Sequence, residues 1–203
     1  SSKIKCGECG SYYGSKVWHS NDEYRRVIWQ CNHKFDNEKK CQTPHLDENQ
    51  IKEIFISAVN ELIENKEQIL ADFNLIENEL FDISELEGQK EKFESELENI
   101  VKQIQDCIDQ NARVAQNQDE YERQYNELIE KYDGIKKRFD EITVDIADKN
   151  ARKAEIEMFM KNLKKQDRAV TEFDEVLWLS MVECVTVYGK DDIRVEFKNG
   201  MRV

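Results

Sequence analysis

The sequence has few of the residues that end helices and form tight turns: its 203 residues include one proline and seven glycines. Charged residues make up 36% and hydrophobic residues 39%, too little apolar material for two compact globular domains. This composition is typical of long, solvent-exposed helices. The chain also lacks a signal peptide and an apolar run long enough to cross a bilayer. We therefore expect a cytoplasmic protein with no membrane partner and, since residue 1 is not Met, a piece of a longer chain.

No pattern in the sequence predicts a catalytic centre. We find no nucleophile with a paired base, no glycine-rich loop for phosphate and no metal site with an open coordination position. We therefore expect this chain to have no enzymatic activity of its own.

Charge is distributed unevenly along the chain. The formal net charge is −13, which on its own argues against a nucleic-acid partner. Residues 1–46, however, hold eight Lys and Arg against five Asp and Glu, a net charge of +3, so the remainder carries −16. Each part therefore requires its own kind of partner.

The basic segment, residues 1–46, predicts a β-hairpin. Residues 12–19 and 24–31 are rich in aromatic and β-branched residues, and Ser20–Glu23 between them is a turn-forming cluster. We expect four side chains to form a small core: Tyr12, Trp18, Val27 and Trp29.

Four of the six cysteines lie in this segment and predict a metal site, since cytosolic proteins seldom keep disulfides. Cys6 and Cys9 are separated by two residues, so both thiolates can reach one ion from a tight turn. Cys31 and Cys41 complete a closed, tetrahedral and therefore structural site for one Zn²⁺.

The second cysteine pair is the less specific signal. Nine residues separate its members, and either His33 or His45 could replace one thiolate. Four unrelated core cysteines are the further alternative. We predict that Cys107 and Cys184 are small buried hydrophobic residues rather than ligands.

Residues 47–170 predict a long helical segment. Asp47 is the expected N-cap, with Gln50 completing a capping box. Apolar residues then recur at steps of three and four on a narrow seam between charged faces, which is coiled-coil patterning. The pattern weakens over residues 82–88 and lapses over residues 109–119. An antiparallel hairpin with its tip at 109–119 explains this best, and a parallel dimer of one long helix is the alternative.

Residues 171–203 predict a short helix capped by Thr171, followed by strands at Val185–Tyr188 and Ile193–Phe197. This segment is too small to be stable alone, so we expect it to pack back on the zinc domain. The predicted fold is α+β: a small zinc β-ribbon domain with an inserted antiparallel coiled-coil hairpin, closed by a C-terminal helix and β-hairpin.

Several motifs, in order along the chain, resemble the C-terminal region of large serine recombinases, the integrases and transposases of phages and mobile elements. The segments that carry the resemblance to their zinc β-ribbon are Lys5–Gly10, Lys16–His19, Tyr24–Arg26, Trp29–Cys31 and Lys40–Leu46. Gln118–Tyr121 and Phe173–Trp178 resemble the rest of that region.

The resemblance implies a protein of site-specific DNA recombination in a bacterial cell, associated with the nucleoid. Its ribbon would bind half-sites of double-stranded attachment-site DNA. Its coiled coil would contact other recombinase protomers and a recombination directionality factor. The catalytic serine of the family belongs to a domain absent from this sequence, so strand cleavage would need the parent enzyme.

A two-stranded ribbon fits the major groove of DNA, and the hairpin offers cations and hydrogen-bond donors for it. The candidate DNA-binding residues are Ser15, Lys16, His19, Arg25 and Arg26. A plain solvated hairpin is the alternative, and the matching alternative function is a structural or tethering module that does not bind DNA. The candidate protein-binding residues at the hairpin tip are Asn111, Arg113, Val114 and Tyr121.

Overall fold

The protein, analysed as a computed structural model, is described for residues 3–19, 21, 23–35, 40–114 and 117–203. Ser20 and Asp22 of the predicted turn, and residues 115 and 116 of the predicted tip, lie outside these ranges. The strands are β1 (Ile4–Cys6), β2 (Tyr13–Trp18), β3 (Arg26–Cys31), β4 (Leu46–Asp47), β5 (Val182–Val187) and β6 (Ile193–Phe197). The helices are α1 (Glu48–Glu64), α2 (Lys66–Leu80), α3 (Ser84–Arg113), α4 (Gln118–Lys164) and α5 (Glu175–Met181). The predicted α+β class is confirmed.

The chain divides into two compact units. One consists of Ser1–Leu75 together with Ala154–Val203, and the other of Ile76–Lys153. Within the described residues, none of the helices combines the length and apolarity needed to cross a membrane.

The first unit contains two three-stranded sheets, ordered β1-β5-β6 and β2-β3-β4. In the first of them β1 pairs in parallel with β5, with Ile4 opposite Val185 and Cys6 opposite Val187. This pairing joins segments about 180 residues apart in sequence. The C-terminal strands β5 and β6 therefore pack back on the N-terminal segment, as predicted, by forming one sheet with β1.

The core of the first unit is built by one face each of α1 and α4 together with the C-terminal segment. Phe55 of α1 is fully buried and meets Phe173 and Trp178 edge-on, with ring centroids 5.4 Å apart in both cases. Phe159 of α4 is also fully buried and lies 6.1 Å from the ring of Phe197 in β6. Aromatic side chains of this size contribute most of the apolar area that such a core removes from water.

The helix boundaries confirm some predictions and correct others. The capping box is present: Asp47 accepts a hydrogen bond from the amide of Gln50, and the Gln50 side chain accepts one from the amide of Asp47. The predicted cap at Thr171 is wrong. The N-cap of α5 is Asp174, whose carboxylate accepts from the amide of Leu177, so the helix begins three residues later than a Thr171 cap requires.

The second unit contains an antiparallel pair formed by α3 and most of α4. Three contacts show that the two helices run antiparallel: Asn111 with Gln118, Lys90 with Phe139, and Asp82, just before α3, with Lys149. As the residue number falls from 111 to 82, the number of its partner rises from 118 to 149. The predicted antiparallel hairpin is confirmed, and a single uninterrupted helix is excluded. Cys107 is half-buried in α3, whereas Cys184 is buried in β5.

Candidate metal centre and hairpin surface

The first two cysteines are brought together by a tight turn at the end of β1. The amide of Gly10 donates to the carbonyl of Cys6 at 2.9 Å, and the amide of Cys6 donates to the carbonyl of Ser11 at 2.8 Å. Gly10 has a φ of 73°, in the left-handed region that glycine adopts without steric cost. These constraints place Cys9 beside Cys6.

The other two cysteines come from β3 and from the segment before β4. Cys31 ends β3, and its strand register places it opposite Tyr13. Side-chain hydrogen bonds hold the residues around Cys41: Lys34 donates to the carbonyl of Thr43 at 2.8 Å, and Tyr13 donates to that of Pro44 at 2.8 Å. The nine residues between Cys31 and Cys41 therefore do not prevent convergence.

The Sγ atoms of Cys6, Cys9, Cys31 and Cys41 all lie within 4.8 Å of one another. A tetrahedral zinc with Zn–S bonds of about 2.3 Å requires S–S separations of about 3.8 Å. Cys6, Cys31 and Cys41 are buried and Cys9 is exposed. The cluster could therefore hold a metal ion, and the four-sulfur donor set fits zinc.

The sequence left His33 and His45 open as ligands. Among the described residues the cluster consists of the four cysteines, and both histidines are exposed. The His45 ring instead lies 5.0 Å from the ring of Trp18, centroid to centroid. The geometry thus favours four thiolates over a mixed ligand set.

The thiols differ in how easily they ionise. Burial acts to raise the pKa of Cys6, but the Thr43 hydroxyl and the backbone amides of Cys9 and Glu8 lower it to about 7. Contact with the Cys9 thiol, together with burial, raises the pKa of Cys41 to about 11, and burial raises that of Cys31. A divalent cation would offset the raised pKa values of Cys31 and Cys41, because it binds the thiolates and releases their protons.

The C-terminal hairpin covers the Cys6–Cys9 turn. The amide of Gly7 donates to the carbonyl of Val187 at 2.8 Å, and a Cβ at Gly7 would lie 2.3 Å from the Tyr188 ring. On the same hairpin, the Arg194 guanidinium lies 4.7 Å from the centre of the Tyr188 ring. A larger residue at position 7 would therefore have to displace the Tyr188 ring, a packing role that the spacing of Gly7 in the sequence did not indicate.

The β2–β3 register distributes the predicted DNA-binding residues over two faces. Side chains of directly paired residues lie on one face, so Lys16 shares a face with Ile28, and Trp18 with Arg26. Ser15 pairs with Trp29 and is on the opposite face. A single flat surface therefore cannot present Ser15 together with Lys16 and Arg26.

All five of the predicted DNA-binding residues are exposed: Ser15, Lys16, His19, Arg25 and Arg26. His19 directly follows β2 with a φ of 54°, and Arg25 directly precedes β3. Both therefore lie at the end of the hairpin formed by β2 and β3. Their contact with DNA stays a prediction.

The predicted small core of the hairpin needs one correction. Tyr12 is 45% exposed, whereas its neighbour Tyr13 is 2% exposed. Ile28 is also buried, while Trp18, Val27 and Trp29 are half-buried. The tyrosine of the hairpin core is therefore Tyr13 rather than Tyr12.

The predicted tip residues surround the end of α3 and the start of α4. The side chain of Gln118 donates to that of Asn111 at 3.2 Å, and the rings of Tyr121 and Tyr125 lie 6.0 Å apart. Arg113 is exposed and Val114 is 61% exposed. Their binding to protein stays a prediction.

The fold and the cysteine cluster together define a class of small domain, a β-ribbon built around four cysteines that could hold a metal ion. Within that class, residues 1–60 match the family model of the recombinase zinc beta ribbon domain. The resemblance inferred from the residues is confirmed over this part of the chain.

No curated protein matches the chain. Among solved structures, a chain of a crystal structure of an LSR–DNA complex is similar, with 16% sequence identity and a TM-score of 0.36. The match covers 96% of this chain and 54% of that one, so this chain spans about half the length of that relative.

Proposed function

We propose that this chain is the DNA-binding C-terminal portion of a site-specific large serine recombinase. The observation that carries the proposal is the match of residues 1–60 to a recombinase zinc ribbon whose hairpin carries exposed cations. On this proposal the catalytic serine lies elsewhere in the parent enzyme. The protein acts at the nucleoid, in the cytoplasm of a bacterial host.

The ribbon hairpin is the surface that we assign to attachment-site DNA. The major groove is about 12 Å wide and admits a two-stranded ribbon. Lys16, Arg25 and Arg26 would neutralise phosphates or pair with base edges, and His19 would donate a further hydrogen bond. The acidic remainder of the chain would be repelled by phosphate, so DNA contact is confined to the ribbon.

The cysteine cluster is the site that we assign to one structural Zn²⁺. Four thiolates fill the coordination shell and leave no position for a reacting water, so the ion would supply folding energy rather than chemistry. It would connect the end of β1, the end of β3 and the Cys41–Pro44 segment, and so hold the hairpin in a fixed shape.

The antiparallel α3–α4 pair is the part that we assign to protein contact, as a coiled coil. The exposed side chain of Val114 and the tyrosine pair Tyr121 and Tyr125 give its end apolar surface beside the charged Arg113. Other recombinase protomers and a recombination directionality factor are the partners that we propose for this surface.

DNA binding by the hairpin predicts a specific dependence on salt. Affinity for duplex DNA should fall steeply between about 50 and 200 mM salt, because each neutralised phosphate adds about 0.9 to the slope of log K against log salt. Replacing both Lys16 and Arg25 by Gln should weaken binding and lower that slope by about two. Fluorescence anisotropy with a labelled duplex at several salt concentrations measures both quantities.

The matched control replaces Lys92 and Arg138 by Gln. Both are exposed on α3 and α4, and the change in net charge is the same. We expect this variant to keep the wild-type slope. No measurable binding by the wild-type chain at low salt would favour the tethering module, and equal slopes for both variants would exclude the hairpin as the contact surface.

A further inference from the structure

A stack of three side chains occupies one face of the ribbon hairpin. Trp18 of β2 and Arg26 of β3 are direct cross-strand partners, and the Arg26 guanidinium carbon lies 5.2 Å from the centre of the Trp18 ring. The His45 ring contacts the same indole at 5.0 Å, with the two ring planes 49° apart. Arg26 and His45 thus both contact the indole, although they are 19 positions apart in sequence.

The stack is fixed to the cysteine cluster through the segment that carries His45. His45 directly precedes β4, whose Leu46 pairs with Trp29 of β3. Pro44, on its other side, accepts the hydrogen bond from Tyr13. Both neighbours of His45 are therefore anchored, so His45 limits where the Trp18 ring can lie.

The stack changes what Arg26 can do on a DNA surface. A free arginine side chain populates many rotamers, and ordering it on binding reduces affinity and selectivity. A guanidinium resting on an aromatic face keeps its plane fixed while its N–H edge remains available. That edge matches the O6 and N7 acceptors of guanine, which arginine contacts in a bidentate manner.

Lys16 lies on the same face of the hairpin and differs in chemistry. Its ammonium is a single flexible point charge, suited to phosphate, which carries no sequence information. No cation–π contact of Lys16 is present among the described residues, whereas Arg26 has one. The face therefore combines one oriented cation with one unoriented cation.

We propose that Arg26 is the base-discriminating residue of the hairpin, selecting guanine, and that Trp18 and His45 are its positioning residues. This inference rests on the proposed DNA binding and goes beyond it, since it assigns sequence preference to one side chain.

The test selects from a pool of duplexes with a randomised 12-base-pair segment, using the full chain and its variants. The wild-type chain should enrich a position occupied by guanine. Arg26→Lys keeps the charge but loses the planar fork, so the preference for guanine there should fall about ten-fold or more while the salt slope is unchanged. Trp18→Leu should lose the same preference, and Trp18→Phe, which keeps a ring, should retain most of it.

Two further variants separate the roles of Lys16 and His45 from that of Arg26. Lys16→Gln should keep the guanine preference and lower the salt slope by about one. His45→Ala removes the ring that contacts Trp18 and should weaken the preference by less than Trp18→Leu does, because Trp18 itself contacts Arg26. Metal content, measured for every variant, shows whether the ribbon is intact.

The outcomes distinguish this inference from the proposed function. Binding of wild-type chain without sequence preference, or an undiminished preference in Arg26→Lys, overturns the inference and leaves DNA binding in place. An equal loss of preference in Lys16→Gln also overturns it. Absence of all duplex binding by the wild-type chain overturns both.

Discussion

Removing the metal, or replacing Cys31 by Ser, is expected to unfold the ribbon hairpin while most of the helical signal remains. The hairpin buries few side chains of its own, chiefly Tyr13 and Ile28, so we expect its folding to depend on the proposed zinc ion. Structural zinc sites contribute about 10–16 kcal/mol of apparent binding energy near neutral pH, far more than such a core supplies. Helices α3 and α4 contain no ligand and should persist.

Two probes follow this loss separately. The amide resonances of β2 and β3 should collapse to random-coil positions after chelation, while far-UV circular dichroism at 222 nm falls by a minor fraction. Cys107→Ser is the matched control, because Cys107 is half-buried in α3 and outside the cluster. Dispersed β2 and β3 resonances in fully chelated protein would contradict a metal-dependent ribbon.

Phe55→Ala is expected to lower the free energy of unfolding of the first unit by about 3–5 kcal/mol. The Phe55 ring is fully buried, and its edge-on contacts with Phe173 and Trp178 connect α1 to the C-terminal segment. Truncation would leave a cavity between segments more than 110 residues apart in sequence. Urea denaturation followed by tryptophan fluorescence measures the change, because all three tryptophans of the chain lie in the first unit.

Phe35→Ala is the control for this substitution, since Phe35 is 64% exposed. The same chemical change there should alter the free energy of unfolding by no more than about 0.5 kcal/mol. Equal effects at the two positions would mean that the C-terminal segment does not complete this core.

The parts of the fold that depend on local chemistry were predictable from the sequence. The Cys6–Cys9 spacing, the Asp47 and Gln50 capping box and the interruption near residue 114 each involve neighbours within a few positions. Such signals can be recognised in a sequence because the residues that cause each feature lie within a few positions of it.

The parts that depend on distant partners were not predictable in the same way. Strand β1 has three residues, and its partner β5 follows about 180 positions later, so no local pattern marks it. The contact of Gly7 with Tyr188 and that of Trp18 with His45 are likewise invisible in the sequence. His45 was left open as a ligand because proximity to Cys41 in sequence does not show the direction of its ring.

Two errors have a shared cause, a shift of position within a correctly predicted element. Two adjacent tyrosines were available for the core, and Tyr13 rather than Tyr12 is buried, because neighbouring strand residues point to opposite faces. The same alternation separates Ser15 from Lys16. At α5, Thr171 and Asp174 are both capable caps, and only the amide of Leu177 decides between them.

The central claim is that four cysteines bind one zinc ion and thereby shape the ribbon. X-ray absorption at the zinc edge, on protein purified without added metal, tests it most directly. We predict one zinc per chain, surrounded by four sulfur atoms at about 2.3 Å. Protein without zinc, or a shell in which nitrogen replaces a sulfur, would contradict the claim.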